Sequence, residues 1–168
     1  MSNNEKVLVL NNLQIRQKIT RIAHEIYENN FNEDELYFIG IEKRGSVLSK
    51  RLAALLTEIS DITIHEHTLK LNKTAPLEDP IETSIALEEL AGKPVILIDD
   101  VLNSGKALIY AAKYILRAMP KKLKTAVLVD RKHRSFPVRS DYVGLTLATT
   151  LQEHIAVEFG NKDAVYLI

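Results

Sequence analysis

The chain has no cysteine in its 168 residues, which excludes disulfides and thiolate chemistry. It has no apolar run long enough to span a membrane as a helix, and no signal-peptide apolar segment. A soluble cytoplasmic protein is therefore expected. It has no net charge: 22 Lys and Arg balance 22 Asp and Glu, so the whole chain carries no bias toward nucleic acid. It has no internal repeat and no low-complexity tract. What remains is an ordinary hydrophobic content of 46% in a length that suits one domain, residues 1–168, with a full-sized core.

The balance of charge is global, not local. Lys113, Arg117, Lys121, Lys122, Lys124, Arg131, Lys132, Arg134 and Arg139 face a single carboxylate, Asp130, over the stretch from 113 to 139. Such a run is usually a solvated face, and it can serve as a partner surface in an oligomer.

Strand and helix patterns alternate. Val7–Leu10 reads as a short strand. Asn11 or Asn12 can cap a helix that runs to about Asn29, with Ile15, Ile19, Ile22 and Ile26 on one face. Gln17, Thr20, Arg21 and His24 lie on the opposite face. Leu36–Ile41 reads as a buried strand, followed by a turn at Glu42–Gly45 and a helix to about Leu56. Ile62–Leu69 has strand character. From Lys70 to about Glu89 no apolar pattern is sustained, and Pro76 and Pro80 interrupt the chain. That length of irregular chain predicts a flexible lid over about residues 70–89. A helix from about Gly105 to about Met119 precedes another buried strand, Thr125–Val129, with Asp130 at its end. Tyr142–Leu147, Ile155–Phe159 and Val165–Ile168 read as short late strands. The alternation predicts an α/β fold with a parallel sheet.

The most informative segment is Val95–Ala107. Val95–Ile98 is a short apolar run suited to a strand buried on both faces. Asp99 and Asp100 follow where that strand should emerge, and then Val101, Leu102, Asn103, Ser104, Gly105, Lys106 and Ala107 lead into a helix. Ligands of open α/β sheets bind at the carboxyl ends of the strands. A helix N-terminus offers N–H groups and a positive dipole to a phosphate. Two carboxylates beside it can accept hydrogen bonds from a sugar diol. The segment therefore describes a ribose-phosphate cradle. A plainer alternative makes Asn103 or Ser104 a helix cap and the two aspartates polar loop residues. Two adjacent carboxylates ending an apolar strand are hard to explain by folding alone, because one of them risks burial. Lys43, Arg44 and Gly45 close the strand Leu36–Ile41 at the same sheet edge. Arg44 offers a fork of donors to phosphate oxygens, and Gly45 allows close backbone approach.

The cradle resembles the phosphoribosyl-diphosphate (PRPP) signature of the type I phosphoribosyltransferases. The stretch Val127–Gly144, with Val129-Asp130-Arg131, His133-Arg134, Pro137, Arg139 and Asp141-Tyr142, looks like the pyrimidine operon regulator / uracil phosphoribosyltransferase family. The helix Leu13–Glu28, with Thr20-Arg21-Ile22-Ala23-His24-Glu25, resembles that family's first helix. The resemblance implies a mostly parallel central sheet flanked by helices, with a small hood. It implies transfer of the 5-phosphoribosyl group from PRPP to a nucleobase, uracil favoured, with release of pyrophosphate. In that reading Asp99 and Asp100 orient the ribose diol, Asn103–Ala107 wrap the 5-phosphate, and Val101 and Leu102 between them join the PRPP-binding residues. Lys43, Arg44 and Gly45 bind pyrophosphate through a peptide often strained or cis, and Arg44 joins the two aspartates as a catalytic residue. Asp130, Arg131 and Arg134 are candidates for the base pocket or for pyrophosphate. Mg²⁺ is implied, carried mainly by PRPP and in part by Asp99 and Asp100. A homo-dimer or tetramer is implied as well.

Four departures bear on the substrate. Ala107 replaces the usual threonine, removing one hydroxyl contact worth ~1 kcal/mol. Asn103 replaces tyrosine, Lys132 replaces glycine, and the lid reads Leu69-Lys70-Leu71-Asn72-Lys73, so its basic residue falls to Lys70 or Lys73. The 6-oxopurine relatives carry an acidic residue at the Asn103 position and lysine at the Asp130 position. This chain has neither, which ranks hypoxanthine and guanine below uracil. The alternative function is an RNA-binding regulator of pyrimidine genes with little catalysis, using Thr20, Arg21, His24, His133, Arg134 and Arg139. Zero net charge and the acidic stretch from Glu78 to Asp100 rank it below the enzyme.

Overall fold

The computed structural model of the chain describes residues 5–168. Its elements are β1 (Val7–Leu10), α1 (Asn12–Asn30), β2 (Glu35–Ile41), α2 (Arg44–Ile59), β3 (Thr63–Lys70) and β4 (Glu82–Thr83). A 3₁₀ turn (Leu87–Leu90), β5 (Pro94–Leu102), α3 (Lys106–Leu116) and β6 (Lys122–Asp130) follow. The chain closes with β7 (Tyr142–Thr146), β8 (Ile155–Glu158) and β9 (Ala164–Leu167).

Six strands form one sheet in the order β4-β3-β2-β5-β6-β7. From β3 to β7 the neighbours run parallel, and β4 runs antiparallel along the edge. The central strands are apolar on both sides because both faces are covered. Leu36, Phe38, Ile96, Ile98, Ala126 and Leu128 pack with Ile15, Ile19, Ile22 and Ile26 of α1 and Leu48, Leu52 and Leu56 of α2. The alternate residues Ile39, Ile41, Val95, Leu97 and Val127 pack with Leu108, Ala111 and Ile115 of α3. Helix α1 opens with a reciprocal cap. The Asn11 side chain accepts from the Gln14 N–H and the Gln14 side chain from the Asn11 N–H, both at 2.9 Å.

Two strands are longer than their apolar runs. The β5–β6 ladder extends from Pro94 opposite Lys122 to Leu102 opposite Asp130. Asp99 and Asp100 thus lie within β5 and not beyond its end. Asp99 pairs with Val127 in the ladder, the Asp100 N–H turns to the Asp99 carboxylate, and cations meet both side chains. The irregular stretch expected over 70–89 is shorter. Glu82–Thr83 pairs back on β3, and Ile85 and Leu90 are buried in the α3-side core. Only the part before β4 arches over the sheet edge. Helix α3 stops at Leu116, before the expected Met119, which has φ +55°.

The hood is a separate antiparallel sheet, β1-β9-β8. Leu10, Val157 and Val165 bury it against the α1–α2 core. Arg51 of α2 also holds Asp163 in a forked ion pair. No described helix is long and apolar enough to cross a membrane.

Candidate active site

Asp99 and Asp100 are only 3% and 5% exposed. Each has a cation from a different element. Lys73 Nζ, on the arch before β4, lies 3.2 Å from both Asp99 oxygens. Arg44 Nε, at the head of α2, lies 3.0 Å from Asp100 Oδ2. The Asp100 N–H donates to Asp99 Oδ1 at 2.9 Å. Burial pushes the Asp99 carboxyl up from 3.8 to about 7; Lys73 opposes the rise and the neighbouring Asp100 adds to it.

Glycines bring these elements together. A Cβ on Gly45 would sit 2.7 Å from the Ile98 carbonyl oxygen and 2.9 Å from Asp99 Cα, so glycine lets α2 start against β5. Gly105 has φ +89° and directly precedes α3. The Glu42–Lys43 peptide is cis. Lys43 is exposed and makes no capping bond with its side chain.

A cavity of about 280 Å³ opens between these parts, lined by Arg44, Lys73 and residues 99–108, with Val127 and Ile155. The first turn of α3 presents its N–H groups there, one of them, that of Lys106, taken by Ser104 Oγ at 3.3 Å. Lys106 Nζ reaches the Thr74 carbonyl at 3.3 Å, tying the cradle to the arch. The whole cradle 99–107 is therefore assembled at one sheet edge with Arg44. Of the two lid lysines Lys73 reaches it, while Lys70 lines a different cleft with Asn72 and Glu82.

None of Asp130, Arg131 and Arg134, the candidates for the base pocket or for pyrophosphate, lines this cavity. Arg134 forks onto both Asp130 oxygens at 2.8 and 2.7 Å, and the Lys132 N–H donates to Asp130 at 2.9 Å. Burial would raise the Asp130 carboxyl, but these donors outweigh it and hold it below its ordinary 3.8. Arg131 is 8% exposed and turned into the hood. Its Nε donates to Thr149 Oγ1 at 2.6 Å, and its Nη2 to the carbonyls of Thr150, at 2.8 Å, and of Glu153. Both guanidinium groups are engaged within the protein, because the loop after β6 and the crossing into β8 converge on them.

The six residues of the RNA alternative are only partly free. Arg21 pairs with Glu25 and donates to the Val143 and Gly144 carbonyls of β7. Thr20 bonds the Arg16 carbonyl, and Arg134 is the Asp130 partner just described. His24 and Arg139 are exposed and His133 half-buried.

The phosphoribosyl transferase domain family matches residues 8–163 of the chain. The chain belongs to that family. Curated relatives named bifunctional protein PyrR cover nearly all of this phosphoribosyltransferase. That of Clostridium novyi is 33% identical over 95% of this chain and 96% of its own. That of Clostridium acetobutylicum is 35% identical over 95% and 94%. Solved structures share the type I phosphoribosyltransferase fold. Hypoxanthine phosphoribosyltransferase of Trypanosoma cruzi superposes with a TM-score of 0.75 at 18% identity, over 89% of this chain and 84% of that one. A hypoxanthine-guanine phosphoribosyltransferase of Bacillus anthracis does so at 0.70 and 21%, over 85% and 83%. At such identities the likeness is one of fold alone.

Sequence reasoning missed Ile155 as a cavity residue, and Thr149, Thr150 and Glu153 as the seat of Arg131. A lone isoleucine in a short strand carries no local signal. Only the approach of the hood to the cradle singles it out.

Proposed function

We propose that the chain transfers the 5-phosphoribosyl group of PRPP to a nucleobase, uracil favoured, and releases pyrophosphate. The observation that carries this reading is the buried Asp99–Asp100 pair, faced by Arg44 and Lys73, at the mouth of a cavity that ends on the α3 N-terminus. In the reaction the bond from ribose C1 to the pyrophosphate oxygen breaks, its electron pair leaving with that oxygen. A ring nitrogen of the base bonds to C1 and gives up its proton, which the departing pyrophosphate oxygen can take. The protein's task is to hold the partners in line and to keep water out.

Asp99 and Asp100 accept hydrogen bonds from the ribose diol. Arg44 and Lys73, which hold these carboxylates in the free chain, turn to the departing pyrophosphate and offset its charge. Ser104 and the first turn of α3 take the 5-phosphate. Ile155 gives the hood an apolar contact at the cavity wall. Among the described residues no group of three or more His, Asp or Glu could hold a metal alone. The two carboxylates therefore fit Mg²⁺ only as an ion shared with PRPP oxygens, where its charge would ease pyrophosphate departure. Position 103 holds an amide and position 130 a carboxylate spoken for by Arg134, so the chain lacks both the acidic residue and the lysine with which the 6-oxopurine relatives hold their base, and this ranks uracil above hypoxanthine and guanine. The resemblance to the pyrimidine operon regulator / uracil phosphoribosyltransferase family supports the same choice. The RNA-binding alternative has less support, since Arg21 and Arg134 are spent on internal bonds.

The test is pyrophosphate release from PRPP and Mg²⁺ with uracil, other pyrimidines, hypoxanthine and guanine in turn. Turnover with uracil is expected. Asp100→Asn should lower kcat/KM roughly 10- to 100-fold, the loss of a charged hydrogen bond. Unchanged turnover in that variant would remove the main support for the reading, and preference for hypoxanthine would reassign the base.

A further inference from the structure

Two arginines three residues apart, Arg131 and Arg134, leave the end of β6 and turn in different directions. Neither guanidinium lines the cavity, yet each is bonded to a segment that does or that leads directly into one. Arg131 spans three acceptors in the crossing from β7 to β8: the Thr149 hydroxyl and the Thr150 and Glu153 carbonyls. The last of these lies two residues before Ile155, the hood's contribution to the cavity wall. The Leu147 N–H adds a bond to the Asp130 carbonyl at 2.8 Å, so the crossing is fastened at both ends to the tip of β6.

Arg134 faces the other side. Beyond its fork on Asp130, its Nε donates to the Val138 carbonyl at 2.7 Å, which closes the loop after β6. That closed loop carries the cradle. The Ser135 and Phe136 N–H groups both donate to the Ser104 carbonyl, at 2.9 and 3.1 Å. Val138 packs so closely on Gly105 that a Cβ there would lie 2.5 Å from it. The carbonyl that is held belongs to the residue whose hydroxyl accepts from the first N–H of α3.

We infer that Arg131 and Arg134 are positioning residues for opposite subsites of one reaction: Arg131 sets the hood for the accepting base, and Arg134 sets the cradle for the 5-phosphate of PRPP. The inference rests on the phosphoribosyl-transfer reading above and assigns each arginine a separate kinetic signature. Both act through backbone acceptors that must stand within about 1 Å of their working place, where a misplacement of that size is worth up to ~100-fold. Lysine can replace either one only in part. A single ammonium reaches one or two acceptors where the guanidinium spans three.

The experiment is a pair of steady-state titrations on Arg131→Met and Arg134→Met, varying base at saturating PRPP and then the reverse. Arg131→Met should raise the KM for base roughly 10-fold or more and leave the KM for PRPP within about twofold. Arg134→Met should do the opposite. Arg131→Lys and Arg134→Lys should recover part of each effect on the same substrate. Thr149→Val, which removes one hydroxyl and leaves both arginines in place, gives the hood arm a milder form should Arg131→Met not fold. It should raise the base KM alone. If both arginine variants move the same KM, or if Arg131→Met weakens PRPP while sparing the base, the inference is wrong and the arginine touches ligand directly. A wild-type chain inert toward every base would overturn the transfer reading, and this inference with it.

Discussion

Asp99 sits inside the central strand, 3% exposed, with Lys73 as its cation and Asp100 beside it. Burial outweighs the lysine and holds the carboxyl's pKa at about 7, against 3.8 when it is free. The folded chain therefore keeps a proton that the unfolded chain releases as pH rises from about 4 to about 7. Where the native state binds more protons, stability falls with rising pH. A difference of about 3 in pKa corresponds to ~4 kcal/mol, so ionised Asp99 opposes folding by that order above pH 7. Asp99→Asn removes the titration. Its Oδ1 still accepts from the Asp100 N–H, and the freed Lys73, 43% exposed, returns to water. The expected gain is ~2–4 kcal/mol at pH 8, shrinking toward zero near pH 4. Urea unfolding at steps from pH 4.5 to 8.5 measures it as a rise in midpoint at constant slope. The same variant should bind PRPP more weakly, since the amide offers the ribose diol one acceptor in place of two. If wild type and Asp99→Asn lose stability in parallel across this range, or if the variant is the less stable at pH 8, the carboxylate is not under the burial strain argued here.

Three further perturbations test the surrounding loops. Gly105→Ala should destabilise by ~2–4 kcal/mol in urea, because φ is +89° and the new Cβ meets Val138 at 2.5 Å; a loss under ~1 kcal/mol would mean the cradle yields easily. Lys132 holds φ +58°, so Lys132→Gly should raise stability by ~0.5–1 kcal/mol, read as a higher Tm; a lower Tm would show that the lysine side chain repays its strained backbone. Asp130→Asn should lose ~1–3 kcal/mol at pH 7 by unmaking the fork with Arg134. Asp130 is held below 3.8, so its stabilising contribution is full at neutral pH and is lost as pH falls through the folded value; the gap between variant and wild type should close in acid, and a gap independent of pH would refute the ion-pair account.

Much of the architecture was legible in the sequence because its signals are local. The isoleucines of α1 recur at helical spacing behind an asparagine able to cap them, and the short β-branched apolar runs of β2, β5 and β6 suit strands covered on both faces. The cradle was legible for the same reason: carboxylates, turn and helix start are consecutive residues, and consecutive residues share one place in any fold. The lengths of β5 and β6 were not, since hydrogen bonds to a neighbouring strand carried both past their apolar cores. Nor was the docking of Ile85 and Leu90, which shortened the arch.

The chain by itself thus determined most of the elements, the fold class, and the acidic pair with its helix N-terminus. Only the tertiary structure decided that Lys73 and not Lys70 meets Asp99, and that Arg44 meets Asp100. Only the structure could turn Arg131 into the hood and Arg134 onto Asp130, two fates for like residues three apart. A guanidinium has no preferred partner written in its own neighbourhood. It takes the acceptors that folding leaves buried within its reach, and those came from a crossing segment more than fifteen residues further along the chain for one arginine, and from its own loop for the other.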